Sequence, residues 1–282
     1  MIIDGKQIAQ QRKEELRKQV AGYTKQYGRA PGLDVIIVGE NPASMSYVRS
    51  KRKAAAYCGI GGELIQLPET ISQDELLGVI RACNKKEDVD GLLVQLPLPE
   101  QIDVQTVLEA IDPAKDVDGF HPSNVAALWL NDPAVVPCTP LGIMALLEES
   151  QTSLEGKHAV VVGRSNIVGK PIAKLLLDKN CTVTLAHSRT ADLGAICSKA
   201  DILVVAVGKP KMITGEMVKQ GATIIDVGIN RTKDGRLVGD VDFDAVAPVA
   251  GAITPVPGGV GPMTITMLMQ NTIACYLKRI NK

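Results

Sequence analysis

The sequence lacks three features that would place it in other classes of protein. Its 31 basic and 31 acidic residues balance, so no net charge attracts nucleic acid or an anionic membrane. Hydrophobic runs such as Ile202–Val207 have the length of a strand and fall short of a membrane span. Asp4 and Gly5 stand where a signal peptide needs apolar residues. These absences predict a cytoplasmic globular protein with no nucleic-acid or membrane partner.

Cysteine pairs at metal-binding spacing are also missing. The six cysteines, at positions 58, 83, 138, 181, 197 and 275, include no C-x-x-C pair, and most have apolar neighbours. We interpret them as small core residues in a reducing compartment, which excludes a disulfide or zinc framework and predicts no metal site.

What is present is an alternation of strands and helices over 282 residues, which predicts an α/β fold with parallel sheets in two domains. We place an N-terminal catalytic domain at residues 1–120 and a Rossmann-like domain at 139–262. The segment 112–140 between them is less periodic and rich in Pro, Asp and Asn. A final helix, about 263–282, is expected to pack back on the first domain. Because ligands bind at the carboxyl ends of parallel strands, a cleft between the domains is expected, with cofactor and substrate on opposite walls.

The segment His158–Pro171 has the pattern of a phosphate-binding turn. An apolar run at 159–162 ends at Gly163, and Gly169 opens a stretch with apolar residues at helical spacing. A strand, a glycine turn and a helix direct N–H groups and a helix dipole at one point. Ser165 replaces the middle glycine of the dinucleotide fingerprint, so an ordinary strand-to-helix turn is the alternative.

The next predicted strand, 182–186, favours NADP over NAD. It ends in His187-Ser188-Arg189, where an NAD enzyme carries an acidic residue for the ribose hydroxyls. A hydroxyl at Ser188 and the basic side chains of Arg189 and Arg164 suit a 2′-phosphate instead.

In the first half, a predicted helix that begins at Pro42 after Asn41 places Ser44, Tyr47 and Lys51 on one face. Arg49, Arg52 and Lys53 lie off that face and are expected in solvent. A lysine beside a tyrosine in a cleft can serve acid–base chemistry, because desolvation disfavours the ammonium form. The alternative is an ordinary surface pair.

Two further positions in the first half are candidates. Gln95 ends an apolar strand and can hold a lysine without adding a negative charge, or it can bond a loop backbone. Asp116 and Asp118 precede Gly119 and can form a turn; alternatively, Asp118 can accept hydrogen bonds from the amidine-like edge of a ligand.

Six segments carry a resemblance to one enzyme family. They are SMSYVRSKRKAA (44–55), DGLLVQLPLP (90–99), KDVDGFHP (115–122), PCTP (137–140), VVGRSNIVGKP (161–171) and PVPGGVGPMT (255–264). Over essentially its whole length, the chain resembles the bifunctional methylenetetrahydrofolate dehydrogenase/methenyltetrahydrofolate cyclohydrolase family.

The resemblance implies two reactions at one site. NADP-dependent oxidation of 5,10-methylenetetrahydrofolate gives 5,10-methenyltetrahydrofolate, and hydrolysis then gives 10-formyltetrahydrofolate, a step of one-carbon metabolism that serves purine biosynthesis. It also implies a homodimer.

The resemblance likewise implies roles for individual residues. Lys51 is the catalytic lysine, Tyr47 stacks on the folate, Gln95 holds the lysine, and Asp118 binds the pterin ring. The remaining implied residues contact substrate or cofactor: Ser44 and the loop Pro257, Gly258, Gly259 and Val260 contact the substrate, while Gly163, Arg164, Ser165, Ser188 and Ile229 contact NADP. His121, His158, His187 and Cys138 are assigned to structure.

Two other functions remain open from the residues alone. One is an NADP-dependent dehydrogenase of a small hydroxy or amino acid, which would show no folate dependence. The other is a non-catalytic NADP sensor or scaffold, in which Tyr47 and Lys51 are surface residues.

Overall fold

The computed structural model describes residues 1–133 and 135–280, except for the side chain of Ala43, and they form two compact units. The five-strand unit comprises Met1–Gln10 and Thr139–Thr264. The three-strand unit comprises the described residues of Gln11–Cys138 and Ile265–Lys282. Met1–Gln10, which the sequence analysis placed within 1–120, therefore group with the five-strand unit.

The first half of the chain alternates helix and strand. Its elements are α1 (Gly5–Tyr27), β1 (Leu33–Val38), α2 (Pro42–Cys58), β2 (Leu64–Leu67), α3 (Gln73–Lys85), β3 (Gly91–Val94), α4 (Val104–Ala110) and α5 (Pro122–Trp129). The three strands form a parallel sheet in the order β2-β1-β3. All six residues of the central strand β1 are buried. Five of them are apolar, and the sixth, Asp34, accepts the Glu63 N–H and pairs with Lys86.

The second half repeats the alternation. Its elements are α6 (Cys138–Glu149), β4 (His158–Val162), α7 (Gly169–Asp178), β5 (Thr182–Ala186), α8 (Leu193–Cys197), β6 (Ile202–Val205), a 3₁₀ turn (Gly215–Met217), β7 (Thr223–Asp226), β8 (Asn230–Arg231), β9 (Leu237–Val238), α9 (Phe243–Val246), β10 (Ala252–Ile253) and α10 (Val260–Ile280). Five strands form a parallel sheet in the order β10-β7-β6-β4-β5, and β8 pairs with β9 as a short antiparallel ribbon.

Burial falls from the middle of the five-strand sheet to one edge. Every residue of β6 and β7 is buried, whereas β5, at the edge, is exposed or half-buried at every position except its last, Ala186. In a parallel sheet the carboxyl ends of all strands meet at one side, so the segments after Val162, Ala186, Val205 and Asp226 lie at a common edge.

The predicted α/β class with parallel sheets in two halves is confirmed, and the differences are local. The hydrophobic run Ile202–Val207 has the length of a strand, but β6 within it ends at Val205. Neither α4 nor α5 was predicted. Both are eight residues or shorter and cover about two turns, so the 3.6-residue period of apolar positions has too few repeats to be recognised. Each begins at a side-chain cap, Asp103 and His121 respectively.

All six cysteines are free and buried. Among residues 1–133 and 135–280, none of the helices combines the length and hydropathy of a membrane span. The same residues contain no group of three or more His, Cys, Asp or Glu side chains that would hold a metal ion.

Candidate active site

Helix α2 presents the predicted face. Asn41 Oδ1 accepts the Ser44 N–H at 3.2 Å, so Asn41 caps the helix that Pro42 begins. Ser44 and Lys51 are each 8% exposed, and Tyr47 is half-buried, so the three share a covered face. Burial raises the pKa of the Tyr47 phenol.

The flanking basic residues of α2 divide. Arg49 and Lys53 are exposed, as expected for residues off the covered face. Arg52 is half-buried, and its guanidinium donates to the carbonyl of Gly62 at 2.6 Å in a hydrogen bond that is exposed to solvent.

Lys51 and Gln95 form a direct contact between two elements. Lys51 Nζ donates to Gln95 Oε1 at 2.9 Å, and Gln95 Nε2 donates to the Leu96 carbonyl at 2.6 Å. The two alternatives for Gln95 are therefore both realised, since one end of its amide holds the lysine and the other bonds the loop backbone. Gln95 reaches this point because it directly follows β3.

The two aspartates of the KDVDGF segment separate into different roles. Asp116 is buried and accepts hydrogen bonds from the N–H groups of Gly119 and His121 and from the Asn124 amide, so it forms the turn. Asp118 is half-buried, and burial raises the pKa of its carboxyl. The Lys51 ammonium opposes this rise, so Lys51, Gln95 and Asp118 share one site in the three-strand unit.

Two residues behind Asp118 were missed as members of this site. Cys138 Sγ lies 3.7 Å from Asp118 Oδ1 and donates to the Val117 carbonyl at 3.4 Å. Asn271 of α10 donates its amide to the carbonyls of Val117 and Val136, at 2.8 and 2.9 Å, and contacts Cys138 Sγ. The available signal was an asparagine in a mainly apolar part of the last helix, since an amide that is buried needs partners.

In the five-strand unit, the turn after β4 has the geometry of a strand-to-helix junction with close packing. Gly163 has φ +126°, and a Cβ there would lie 2.3 Å from the Ala206 carbonyl oxygen. A Cβ on Gly169 would lie 2.2 Å from the Gly163 oxygen, so only glycine fits. Ser165 Oγ accepts the N–H groups of Val168 and Gly169 at 3.1 and 3.3 Å, which gives this serine a capping role.

The side chains on the neighbouring loop are open to solvent. Arg164, Ser188 and Arg189 are all exposed, at the carboxyl ends of the adjacent strands β4 and β5. His187 Nδ1 accepts the Arg189 N–H at 3.1 Å, so the histidine shapes the turn, in agreement with its structural assignment. Two cations and a hydroxyl are a donor set that fits a phosphate group.

Two more loops lie in this unit. Ile229 follows β7 and is 47% exposed, while Gly228 before it is buried. The loop from Pro257 to Val260 is held from behind: a Cβ on Gly5 would lie 1.9 Å from the Gly259 oxygen, and one on Gly259 2.7 Å from the Pro255 oxygen. The backbone of the loop Pro257–Val260 is therefore packed tightly against neighbouring backbone.

Comparison with known proteins gives a consistent result over the whole chain. Residues 3–118 match the family model for the tetrahydrofolate dehydrogenase/cyclohydrolase catalytic domain, and residues 137–280 match the model for its NAD(P)-binding domain. The chain belongs to the tetrahydrofolate dehydrogenase/cyclohydrolase family.

Individual relatives of this dehydrogenase/cyclohydrolase are similar from end to end. The bifunctional protein FolD of Streptococcus uberis is 55% identical over 280 residues, which are 99% of each chain. The structure of the Campylobacter jejuni bifunctional enzyme FolD is 47% identical, with a TM-score of 0.96 over 99% of both chains. The Trypanosoma brucei dehydrogenase-cyclohydrolase, solved with NADP and an inhibitor, is 42% identical, with a TM-score of 0.97 over 100% of this chain and 99% of that one.

Family membership confirms the resemblance read from the six segments and the expectation of an enzyme. It also confirms that the second half binds a nicotinamide dinucleotide. The non-catalytic sensor and the hydroxy-acid or amino-acid dehydrogenase are therefore set aside for the dehydrogenase/cyclohydrolase.

Proposed function

We propose that this chain oxidises 5,10-methylenetetrahydrofolate to the 5,10-methenyl form with NADP and then hydrolyses that product to 10-formyltetrahydrofolate. The observation that carries the proposal is the contact of Lys51 with Gln95 beside Asp118, within the residues that match the family's catalytic domain. The methenyl product of the first step is the substrate of the second, so one set of residues serves both.

NADP, when bound, supplies the acceptor for the hydride that leaves the methylene bridge. The residues present fit this cofactor, because Arg164, Ser188 and Arg189 offer two cations and a hydroxyl for a 2′-phosphate. We assign Gly163, Ser165 and Ile229 to the same cofactor.

Lys51 serves both steps through its amino group. Loss of hydride makes the folate cationic, and Gln95 holds the lysine without a further charge. In the second step water adds to the methenyl carbon and gives up both of its protons: one is released, and the other ends on the ring nitrogen as the ring C–N bond breaks and the formyl C=O forms. Lys51 is the group that assists these proton transfers.

Asp118 and Tyr47 bind the folate ring. A carboxyl group beside the site accepts hydrogen bonds from the amidine-like edge of a pterin, and the aromatic face of Tyr47 stacks on a flat ring. Ser44 and the loop Pro257–Val260 are assigned to the same substrate, and the cleft predicted between the domains stays a prediction.

We further propose a cytoplasmic homodimer that acts in the one-carbon supply to purine biosynthesis. Strand β5 supports a self-association surface, because it lies at the edge of its sheet and Leu185 on it is 41% exposed. The balanced charge supports a small-molecule role with no nucleic-acid or membrane partner. Sedimentation velocity tests the dimer, and a monomer at micromolar concentration contradicts it.

The activity is tested by incubating the protein with methylenetetrahydrofolate and NADP. NADPH absorbance should rise only when both substrates are present, and preformed methenyltetrahydrofolate should lose its absorbance without NADP. Absence of NADPH formation would reject the dehydrogenase, and persistence of methenyltetrahydrofolate at its uncatalysed rate would reject the cyclohydrolase.

A further inference from the structure

Two aspartates that the proposed reaction does not use lie buried at the carboxyl edge of the five-strand sheet. Asp226 is the last residue of β7 and is 3% exposed. Asp240 lies between β9 and α9 and is 0% exposed. Buried carboxyl groups need hydrogen-bond partners, and those of this pair come from the loops of the sheet edge.

Asp240 joins the loops that follow two neighbouring strands. Its Oδ2 accepts the N–H groups of Val207 and Gly208, at 2.7 and 2.9 Å, in the loop after β6. Its Oδ1 accepts the amide of Asn230 at 2.8 Å, in the segment after β7. One side chain therefore fixes both loops relative to each other.

Asp226 fixes Asp240 in turn. Asp226 Oδ1 accepts the N–H groups of Asp240 and Gly228, and Oδ2 accepts that of Val241, all at 2.9 Å. The packing leaves no room for side chains: a Cβ on Gly239 would lie 1.8 Å from Asp226 Oδ2, and one on Gly228 2.3 Å from Asp240 Oδ1.

The hydrogen bonds of Asp226 and Asp240 also hold a segment that carries an exposed apolar side chain. Ile229 stands between Gly228, which bonds to Asp226, and Asn230, which bonds to Asp240. Its backbone is therefore held on both sides while its side chain is 47% exposed. A rigidly held, exposed apolar group at the ligand edge of a parallel sheet is suited to pack against a flat ring.

We propose that Asp240 is a positioning residue of the dehydrogenase reaction, which holds the loops at Val207–Gly208 and Gly228–Asn230 in the geometry that NADP requires. The inference rests on the proposed function, because it takes NADP as the ligand of these loops. Asp240 acts through the loop backbone, and preorganised loops bind a ligand without the entropic cost of ordering them.

The test compares the two activities in variants of the full chain. Asp240→Ala removes the acceptor of three donors, so the KM for NADP should rise about tenfold or more. Hydrolysis of methenyltetrahydrofolate, measured without NADP, should stay within about twofold of the wild type, because that step consumes no dinucleotide. A purely structural role would lower both activities together.

Three further variants keep the inference testable. Asp240→Asn should show a smaller rise in KM, because its amide oxygen can accept both backbone N–H groups and its NH2 can donate to Asn230 once that amide turns over. Asn230→Ala breaks one of the three bonds and should lie between the wild type and Asp240→Ala. Asp242→Ala is the matched control, since that carboxylate is part-exposed and pairs with Lys211.

The outcomes separate this inference from the proposed function. A wild type that forms no NADPH would reject the proposed function itself. An active wild type whose KM for NADP is unchanged in both Asp240→Ala and Asn230→Ala would overturn the positioning role. Parallel loss of hydrolysis and NADP reduction in Asn230→Ala and Asp240→Asn would also overturn it.

Discussion

The two candidate regions of this molecule carry their chemistry in opposite ways. In the three-strand unit, the reactive groups are side chains held by other side chains, as in the contact from Lys51 Nζ to Gln95 Oε1. At the edge of the five-strand unit, the side chains of Arg164 and Ser188 are exposed, and the groups that hydrogen bonds hold in place belong to the loop backbone. Proton transfer needs a tuned environment, whereas recognition of a phosphate-bearing cofactor needs donors that a ligand can reach.

A pair of carboxyl groups makes the contrast concrete. Burial raises the pKa of both Asp118 and Asp226. At Asp118 the opposing influence is a cation, Lys51. At Asp226 it is a set of backbone N–H groups, and the pKa is still raised to about 6. The pKa of Asp118 therefore depends on nearby charge, which a bound ligand can change, whereas the hydrogen bonds of Asp226 fix a loop.

The largest effect is expected for Lys51→Met. It keeps the length of the side chain and removes the amino group, so cyclohydrolase activity should fall about a thousandfold. NADP affinity should change little, because the residues assigned to NADP belong to the other unit. Stopped-flow hydrolysis and NADP titration measure the two. Lys53→Met, exposed on the same helix, is the control, and full hydrolysis in Lys51→Met would remove the lysine from the mechanism.

A pH effect on stability is expected from Asp226. Its carboxyl has a pKa of about 6 in the folded chain and an ordinary value near 4 when unfolded, so the folded state binds the proton more tightly. Its contribution to the free energy of unfolding is fully present below about pH 4 and is lost as the pH rises through 6, on the order of 3 kcal/mol in all.

Urea unfolding between pH 4 and 7 measures this dependence. Asp226→Asn should lack the loss between pH 4 and 6 that the wild type shows, whereas Asp244→Asn, an exposed control on α9, should keep it. Identical pH profiles for the wild type and Asp226→Asn would contradict the assignment.

Arg164→Ala sharpens the cofactor side of the comparison. Loss of one cation from the proposed 2′-phosphate site should raise the KM for NADP about ten- to a hundredfold and leave the KM for NAD nearly unchanged. Initial rates with each dinucleotide measure the difference. Arg231→Ala removes an exposed arginine of the same unit as a control. Equal losses with both cofactors would place the 2′-phosphate elsewhere.

Asn271→Ala should give the smallest effect. It removes the donor to the carbonyls of Val117 and Val136, which should lower the free energy of unfolding by about 1 to 2 kcal/mol. Because those carbonyls flank Asp118 and Cys138, the KM for the folate should rise severalfold. Denaturant unfolding and folate titration measure both, with Gln270→Ala as control. An unchanged folate KM would limit Asn271 to a structural role.

Much of the local structure was readable from the sequence. The strand Thr182–Ala186 has the predicted bounds, and the apolar run at 159–162 forms all but the first residue of β4. A short run of apolar and β-branched residues between clear breaks is typical of a strand. The start of α2 was readable from Asn41 and Pro42, since helix caps depend on residues a few positions apart.

The sequence by itself thus determined the alternation of strands and helices, the helix face that carries Ser44, Tyr47 and Lys51, and the family. Only the tertiary structure decided that Asp116 forms a turn while Asp118 stays available, that Asn271 supports it, and that Asp240 joins two loops. These contacts link residues that are distant in sequence or that differ only in what surrounds them. Local spacing records neither, because burial and partners arise when the chain packs.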